Sequence, residues 1–430
     1  MTRRNYDLTL LFVLLGFVPA CTLADKNLGE TDESESGDPD EGSELSDLPG
    51  EDDDDSDDND DNDDNDDENG DGDMDTCGNG IAEEGEVCFT KVSLLAPGPV
   101  LDVGIADVDG EEANADVVVL TTNPDAPLAI WRYSVDLEAF VDEPEIVEGP
   151  LPTPVVPGMV IGDFDPFGIE SPDIAYLSQD GVVIIWDKFH VGFDEVTLAV
   201  PCPDPISFTM GGFDELDGAD VLCAHDSGDG TIEVLLASGS NVERDFAAPI
   251  VVAANLPEIS PLFHAVDFSG PQPIRRFIAH DGVDQLLIWT LDGDHYQQTS
   301  QAVPAAVVDL NWTSAGLVAA SHDPAGLQLL DLSAQGFGIT VGELIPSAAL
   351  PHRVASVELT NDNALDLVAT LDSGHLGVWP ATDQGFGDPV LVEVGPDPRE
   401  MGIGPLGWTG EPVIAVADGD DTVTLLYPNP

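Results

Sequence analysis

The sequence predicts an all-β protein: a seven-bladed β-propeller of four-stranded blades, closed by an N-terminal strand that completes the last blade. Three observations predict it. A unit of about fifty residues recurs along the chain, within the range of propeller blades. Its first strand is recognisable seven times. The final unit stops one strand short, while "FTKVSLLAP" at 89–97, a strand with no local partner, precedes the first unit.

The first element of each unit reads "VGIADVD" (103–109), "VIGDFDP" (160–166), "TMGGFDE" (209–215), "HAVDFSG" (264–270), "AVVDLNW" (306–312), "ASVELTN" (355–361) and "MGIGPLG" (401–407). A polar loop then leads into a second apolar run, such as "ADVVVL", "PDIAYL", "ADVLCA" or "LDLVAT". Apolar runs of this length bounded by turn residues read as buried strands. The turn that follows often carries Asp-Gly or Ser-Gly, as at Asp180-Gly181, Asp229-Gly230, Asp281-Gly282 and Ser373-Gly374. Glycine accepts positive φ at little steric cost, which suits a tight hairpin.

The third run includes "LAIWRY", "VVIIWD", "LLIWTL" and "LGVWPA", which set Trp131, Trp186, Trp289 and Trp379 at one corresponding place. A tryptophan repeated in this way reads as packing between blades. The fourth element opens on an aromatic residue: Phe140, Phe193, Phe246, Tyr296, Phe337 and Phe386. The seventh unit ends after its third strand, at "VTLLYPNP". "FTKVSLLAP" matches "FDEVTLAVP" (193–201) at Phe, Val, Leu and Pro, so 89–97 is expected to pair near Thr422 to Tyr427. Such pairing joins the two chain ends and removes a free sheet edge.

Upstream lie three further segments. Residues 1–20 have signal-peptide proportions: Arg3 and Arg4, an apolar stretch from Leu8 to Val18, then Pro19-Ala20 before Cys21. Small residues before a cysteine resemble a bacterial lipobox. That resemblance implies lipidation of Cys21, anchorage to the membrane and an outer-membrane or cell-surface location. Residues 21–76 form an acidic segment, with about half of 25–75 aspartate or glutamate. Such a run cannot bury enough apolar surface to offset its ordering entropy, so it reads as a disordered stalk. Residues 77–88, "CGNGIAEEGEVC", resemble the short cysteine-rich repeat of myxobacterial surface proteins through Cys77, Gly78, Asn79, Gly80, Gly85, Glu86 and Cys88. The propeller is assigned to 89–430.

With Cys21 acylated, four cysteines remain in a secreted context. Pairing Cys77 with Cys88 and Cys202 with Cys223 is the simplest of three connectivities. The alternative for Cys223 is a buried free thiol. Eighty-five acidic and 11 basic residues give a formal net charge of -74. That balance argues against nucleic acid and anionic membrane surfaces as partners and favours cations or basic surfaces.

The repeat resembles the FG-GAP or VCBS type of integrin α propellers and bacterial surface proteins. In that family an Asp-rich loop between the first two strands binds calcium. The resemblance implies ligands at Asp107, Asp109, Glu111 and Asp116 in the first loop. In the second they fall at Asp163, Asp165 and Asp173, and in the sixth at Glu358, Asp362 and Asp366. Lost carboxylates matter, because hard cations want six to eight oxygens. Side chains capping turns through backbone hydrogen bonds are the alternative. No cofactor is required on this reading, and calcium is the one ion the loops could take. His225, His280 and His322 recur at one place in neighbouring blades, too far apart to share a zinc.

No catalytic constellation is recognisable. The expectation is a monomeric, non-catalytic surface lipoprotein whose propeller binds a protein or glycan. The alternatives are a secreted carbohydrate-active lyase or hydrolase with an axial active site, and an envelope structural component.

Overall fold

The computed structural model describes residues 87–429 apart from short segments. These include the seven loops between first and second strands (109–114, 165–171, 215–218, 268–273, 314–315, 361–363 and 407–410). Cys21, the stalk and Cys77 lie outside the described residues, as do Asp109, Glu111, Asp165, Asp362 and Phe337. All described regular elements are strands, and they form seven antiparallel four-stranded sheets and two small two-stranded ones.

The innermost strands of blades 1 to 7 are Val100–Ala106, Pro154–Gly162, Pro205–Gly211, Phe263–Asp267, Val307–Thr313, Pro351–Val357 and Glu400–Leu406. Blades 1 to 6 each continue outward through consecutive hairpins. Blade 7 is assembled from both chain ends: Cys88–Leu95 lies antiparallel to Thr422–Asn429, with Phe89 opposite Pro428 and Leu95 opposite Thr422. The closing strand therefore forms where the repeat count requires it.

Alternation along that strand explains why it closes the ring. Phe89, fully buried, joins Val357, Val368, Val416 and Leu426 in the core between blades 6 and 7. Leu94, an odd number of residues further on, points the opposite way. It joins Val103, Val117, Val413 and Leu425 between blades 7 and 1. The described residues form one apolar cluster at each of the seven blade-to-blade contacts, so every sheet buries both faces against neighbours.

The predicted hairpin glycines adopt positive φ at Gly181, Gly230, Gly282 and Gly374. At Gly181 a Cβ would stand 2.0 Å from the Val200 carbonyl oxygen, so the outer strand could not approach any other residue. Two expectations need correction. Trp131, Trp289 and Trp379 do occupy one place, opposite Val117, Phe277 and Leu367. In blade 2 Ile185 holds that place opposite Ile174. Trp186 lies one residue further and faces blade 3, where Phe246 stacks on it at 6.4 Å. The second correction concerns the outer strands. Phe193 and Tyr296 lie in them, but Phe140 and Phe386 sit in two-residue pairings ahead of them. Phe246 makes an isolated bridge to Gly239. There the aromatic ring caps the interblade core before the chain turns into its last strand.

Cys202 and Cys223 are disulfide-bonded. Cys202 follows the outer strand of blade 2 and Cys223 lies in the second strand of blade 3, so the bond staples two blades.

Candidate functional site

Two sets of buried acids organise the molecule. The first set closes the loops in which calcium ligands are predicted. Asp116, Asp173 and Asp366, the last acid of each predicted set, start their second strands and are at most 1% exposed. Asp116 accepts the N–H of Val108 at 3.3 Å and of Tyr133 at 3.1 Å, and the Arg132 guanidinium at 2.9 Å. Asp173 accepts the Phe164 N–H at 2.9 Å. Asp366 accepts those of Leu359 and Ala381 at 2.9 and 2.7 Å.

Asp220 makes the comparison decisive for this position. Its loop has Gly212 where the first acid would stand, yet Asp220 accepts N–H groups of Phe213, Asp214 and Gly239 at 2.6, 2.9 and 3.1 Å. The carboxylate ties the end of the first strand, the start of the second and the exit of the third, with or without the other acids. Burial lifts its pKa to about 6 against the pull of those N–H donors. Of the remaining predicted ligands, Asp107, Asp163 and Glu358 sit at the ends of first strands, half-exposed or exposed. Among the described residues, no group of three or more His, Cys, Asp or Glu side chains is placed to hold a metal ion.

Two of the three histidines serve their own blades. His225 approaches Glu233 at 3.7 Å, and His280 accepts the Gly282 N–H through Nδ1 at 3.1 Å. The Nε2 of His322 lies 2.9 Å from the Pro351 carbonyl oxygen. His322 meets instead a histidine that the repeat does not single out, His352, edge to face at 5.6 Å. His352 is 6% exposed with no hydrogen-bond partner for either ring nitrogen, and burial drives its pKa down to about 4.

The second set is not apparent from the sequence. Asp102, Asp309, Arg353 and Glu400 come from the innermost strands of blades 1, 5, 6 and 7, and each is 5% exposed or less. They occupy one structural place: Asp102 is opposite Leu120, Asp309 opposite Ala320, Arg353 opposite Thr370 and Glu400 opposite Ala417. In blade 3 this place holds Ser207, opposite Ala224. Groups from four blades meet only where the innermost strands converge, around the axis.

Each aspartate bridges two blades. Asp102 accepts the N–H of Val103 at 2.8 Å and, from blade 2, of Met159 at 2.9 Å. Asp309 accepts those of Leu310 at 2.7 Å and, from blade 6, Val354 at 2.6 Å. Arg353 pairs with Glu400 across blades 6 and 7. Burial pushes Asp309 up to about 7 against the attraction of Arg353, and raises Asp102 and Glu400 as well.

A signal for this set exists but is faint. Laying "AVVDLNW" against "VGIADVD" puts Asp309 at the place of Ala106, whereas strand pairing puts Leu310 opposite Ala319 as Val103 is opposite Val119. The look-alike segments thus start at different structural positions, while a bulge precedes Asp102, Asp309 and Arg353 alike.

No family model and no curated protein matches the chain. Among solved structures it is similar to a chain from the crystal structure of BBS1N in complex with ARL6DN, soaked with lead. The TM-score is 0.53 at 12% identity, covering 79% of this chain and 96% of that one. The mercury-soaked crystal of the same complex gives 0.51 at 12%, covering 79% and 97%. A chain from an Agrocybe aegerita lectin that recognises non-reducing terminal N-acetylglucosamine gives 0.45 at 14%, covering 69% and 80%. At such identities the likeness concerns the fold, a seven-bladed β-propeller.

Proposed function

We propose that this chain is a non-catalytic surface lipoprotein, anchored through Cys21 and held off the envelope by its acidic stalk, whose propeller binds a partner protein. The observation that carries this reading is where the carboxylates are spent. Those inside the disc accept backbone N–H groups or pair with Arg353, leaving the exposed acids to meet a partner. The turns joining second to third strands all open on one face of the disc, and each presents an exposed aspartate: Asp125, Asp180, Asp226, Asp284, Asp323, Asp372 and Asp420. No lysine or arginine occurs in these turns, so a basic protein surface is the complementary partner. The crystal of BBS1N with ARL6DN supplies a precedent for a similar disc in a protein complex. The Cys202–Cys223 staple supports an extracytoplasmic home, since such bonds persist in oxidising compartments.

A glycan is the second reading. Trp312, 42% exposed at the end of the innermost strand of blade 5, offers a flat apolar face for a sugar ring. An axial enzyme has the converging acids and arginine it would need, but burial of all four groups argues for a structural role.

The test is a pulldown from cell-surface extract with the propeller, stalk deleted to suppress ion-exchange artefacts. The reading expects a basic protein, released by high salt and lost when the turn aspartates become asparagine. A partner retained in high salt but lost with Trp312→Ala supports the glycan reading instead. Labelling with radioactive palmitate, abolished by Cys21→Ala, tests the anchor.

A further inference from the structure

The axial cluster holds three carboxyls and one guanidinium. Fully ionised, Asp102, Asp309, Arg353 and Glu400 would carry two uncompensated negative charges where water is excluded, at exposures of 4%, 1%, 4% and 5%. Uncompensated buried charge costs several kcal/mol per ion even after relaxation. The N–H groups of Val103, Met159, Leu310 and Val354 offset part of this for the two aspartates. Protons are the remaining counter-charge.

The other sides of the cluster bring no further cation among the described residues. Blade 2 presents the Met159 N–H, and blade 3 has uncharged Ser207 at the equivalent place. His352, next to Arg353 in the chain, has Arg399, His322, Asp372 and Asp397 as its charged neighbours instead.

We propose that the cluster is a proton-operated latch on the ring: with a carboxyl protonated it clamps blades 5, 6, 7 and 1 together, and it slackens them as the proton leaves. The sign follows from linkage. Unfolded carboxyls titrate near 4 and the folded cluster above that, so the folded state holds extra protons in between. The latch's contribution is full below about pH 4, declines as pH rises across the interval in which only the folded state holds the proton, and is lost above about 7. Three of the four groups lie in blade 7 or on its two neighbours, where the two chain ends meet, so the loss falls on the seam. The three carboxyls titrate together, each sensing the others and Arg353.

Thermal unfolding of the full chain at pH 6.5 and pH 8.5 tests the latch. Surface carboxylates are already ionised across this window. The expected result is a Tm about 3 °C or more lower at pH 8.5, with the drop at least halved in Glu400→Gln. Asp309→Asn serves the same purpose should the first variant not fold. Hydrogen exchange, corrected for intrinsic rates, should lose protection at 351–357 and 400–406 between the two pH values and keep it at 205–211. An equal Tm at both pH values would overturn the latch, as would a drop unchanged in the variants or a protection loss spread evenly over the blades.

Discussion

Blades 2 and 3 are held by a covalent bond, whereas blades 6, 7 and 1 are held by buried charge. At the first contact Cys202–Cys223 crosses the interface, and Arg244 lies 5.5 Å above the Trp186 ring that Phe246 also covers. At the second, Arg353 of blade 6 reaches Glu400 of blade 7 and attracts Asp102 of blade 1, around a blade whose outer strand comes from the opposite chain end. The two devices answer to different conditions. A disulfide responds to reductant and is indifferent to mild pH change. A buried charge cluster responds to protons and is indifferent to reductant. The contact of blades 2 and 3 is thus redox-sensitive, and the seam at blade 7 is pH-sensitive.

Substitutions can separate them. Removing 88–97 leaves blade 7 with three strands and strips Phe89 and Leu94 from two cores; the expected outcome is a protein without a cooperative melting transition. Arg353→Met strands three buried carboxyls, a loss of about 3–5 kcal/mol in chemical denaturation, larger at pH 8.5 than at pH 6.5. Cys202→Ser with Cys223→Ser opens a closed loop spanning a separation of 21 residues. It should cost about 3 kcal/mol, equal at both pH values and matched by adding reductant to the parent. A pH-dependent loss there would erase the distinction between the contacts.

Smaller effects sharpen the same contrast. Asp220→Asn leaves three buried N–H groups with a weaker acceptor, and should cost about 1–3 kcal/mol with or without millimolar calcium. A calcium-dependent loss for Asp116→Asn but not for Asp220→Asn would show that the first loop holds the ion. His352 works in the opposite direction to the axial acids. Its lowered pKa means that the unfolded chain takes the proton first, so stability is lost as pH falls below about 6.5. His352→Phe should raise Tm at pH 5 and leave it unchanged at pH 8.

Much of this architecture is legible in residues. The apolar runs and the Asp-Gly and Ser-Gly turns define the units because second and third strands are buried on both faces and the hairpins at Gly181, Gly230, Gly282 and Gly374 use a positive φ. The likeness of "FTKVSLLAP" to "FDEVTLAVP" identifies the closing strand because both must fill an outer position with the same alternation. Asp116, Asp173 and Asp366 stand out by spacing, but spacing alone does not separate a metal ligand from an acceptor of backbone N–H groups. Asp220 separates them by doing the second job in a loop that lacks the first acid. The axial set escapes notice for a different reason. Its members are Asp, Ser, Asp, Arg and Glu, so residue type does not mark the place, and first-strand segments that look alike in sequence do not start at the same structural position. Only pairing across the sheet brings them to one place.

Closure of the ring by the N-terminal strand underlies all of this, and its register is specific enough to test directly. Thr90 lies opposite Tyr427, both partly exposed, two places from Leu425. Cysteines introduced at Thr90 and Tyr427 should form a cross-link under mild oxidation without loss of the melting transition, detected as a large closed loop by mass spectrometry. A cross-link that fails there and forms readily between Thr90→Cys and Leu425→Cys, or at neither place, would contradict the closed seven-bladed ring.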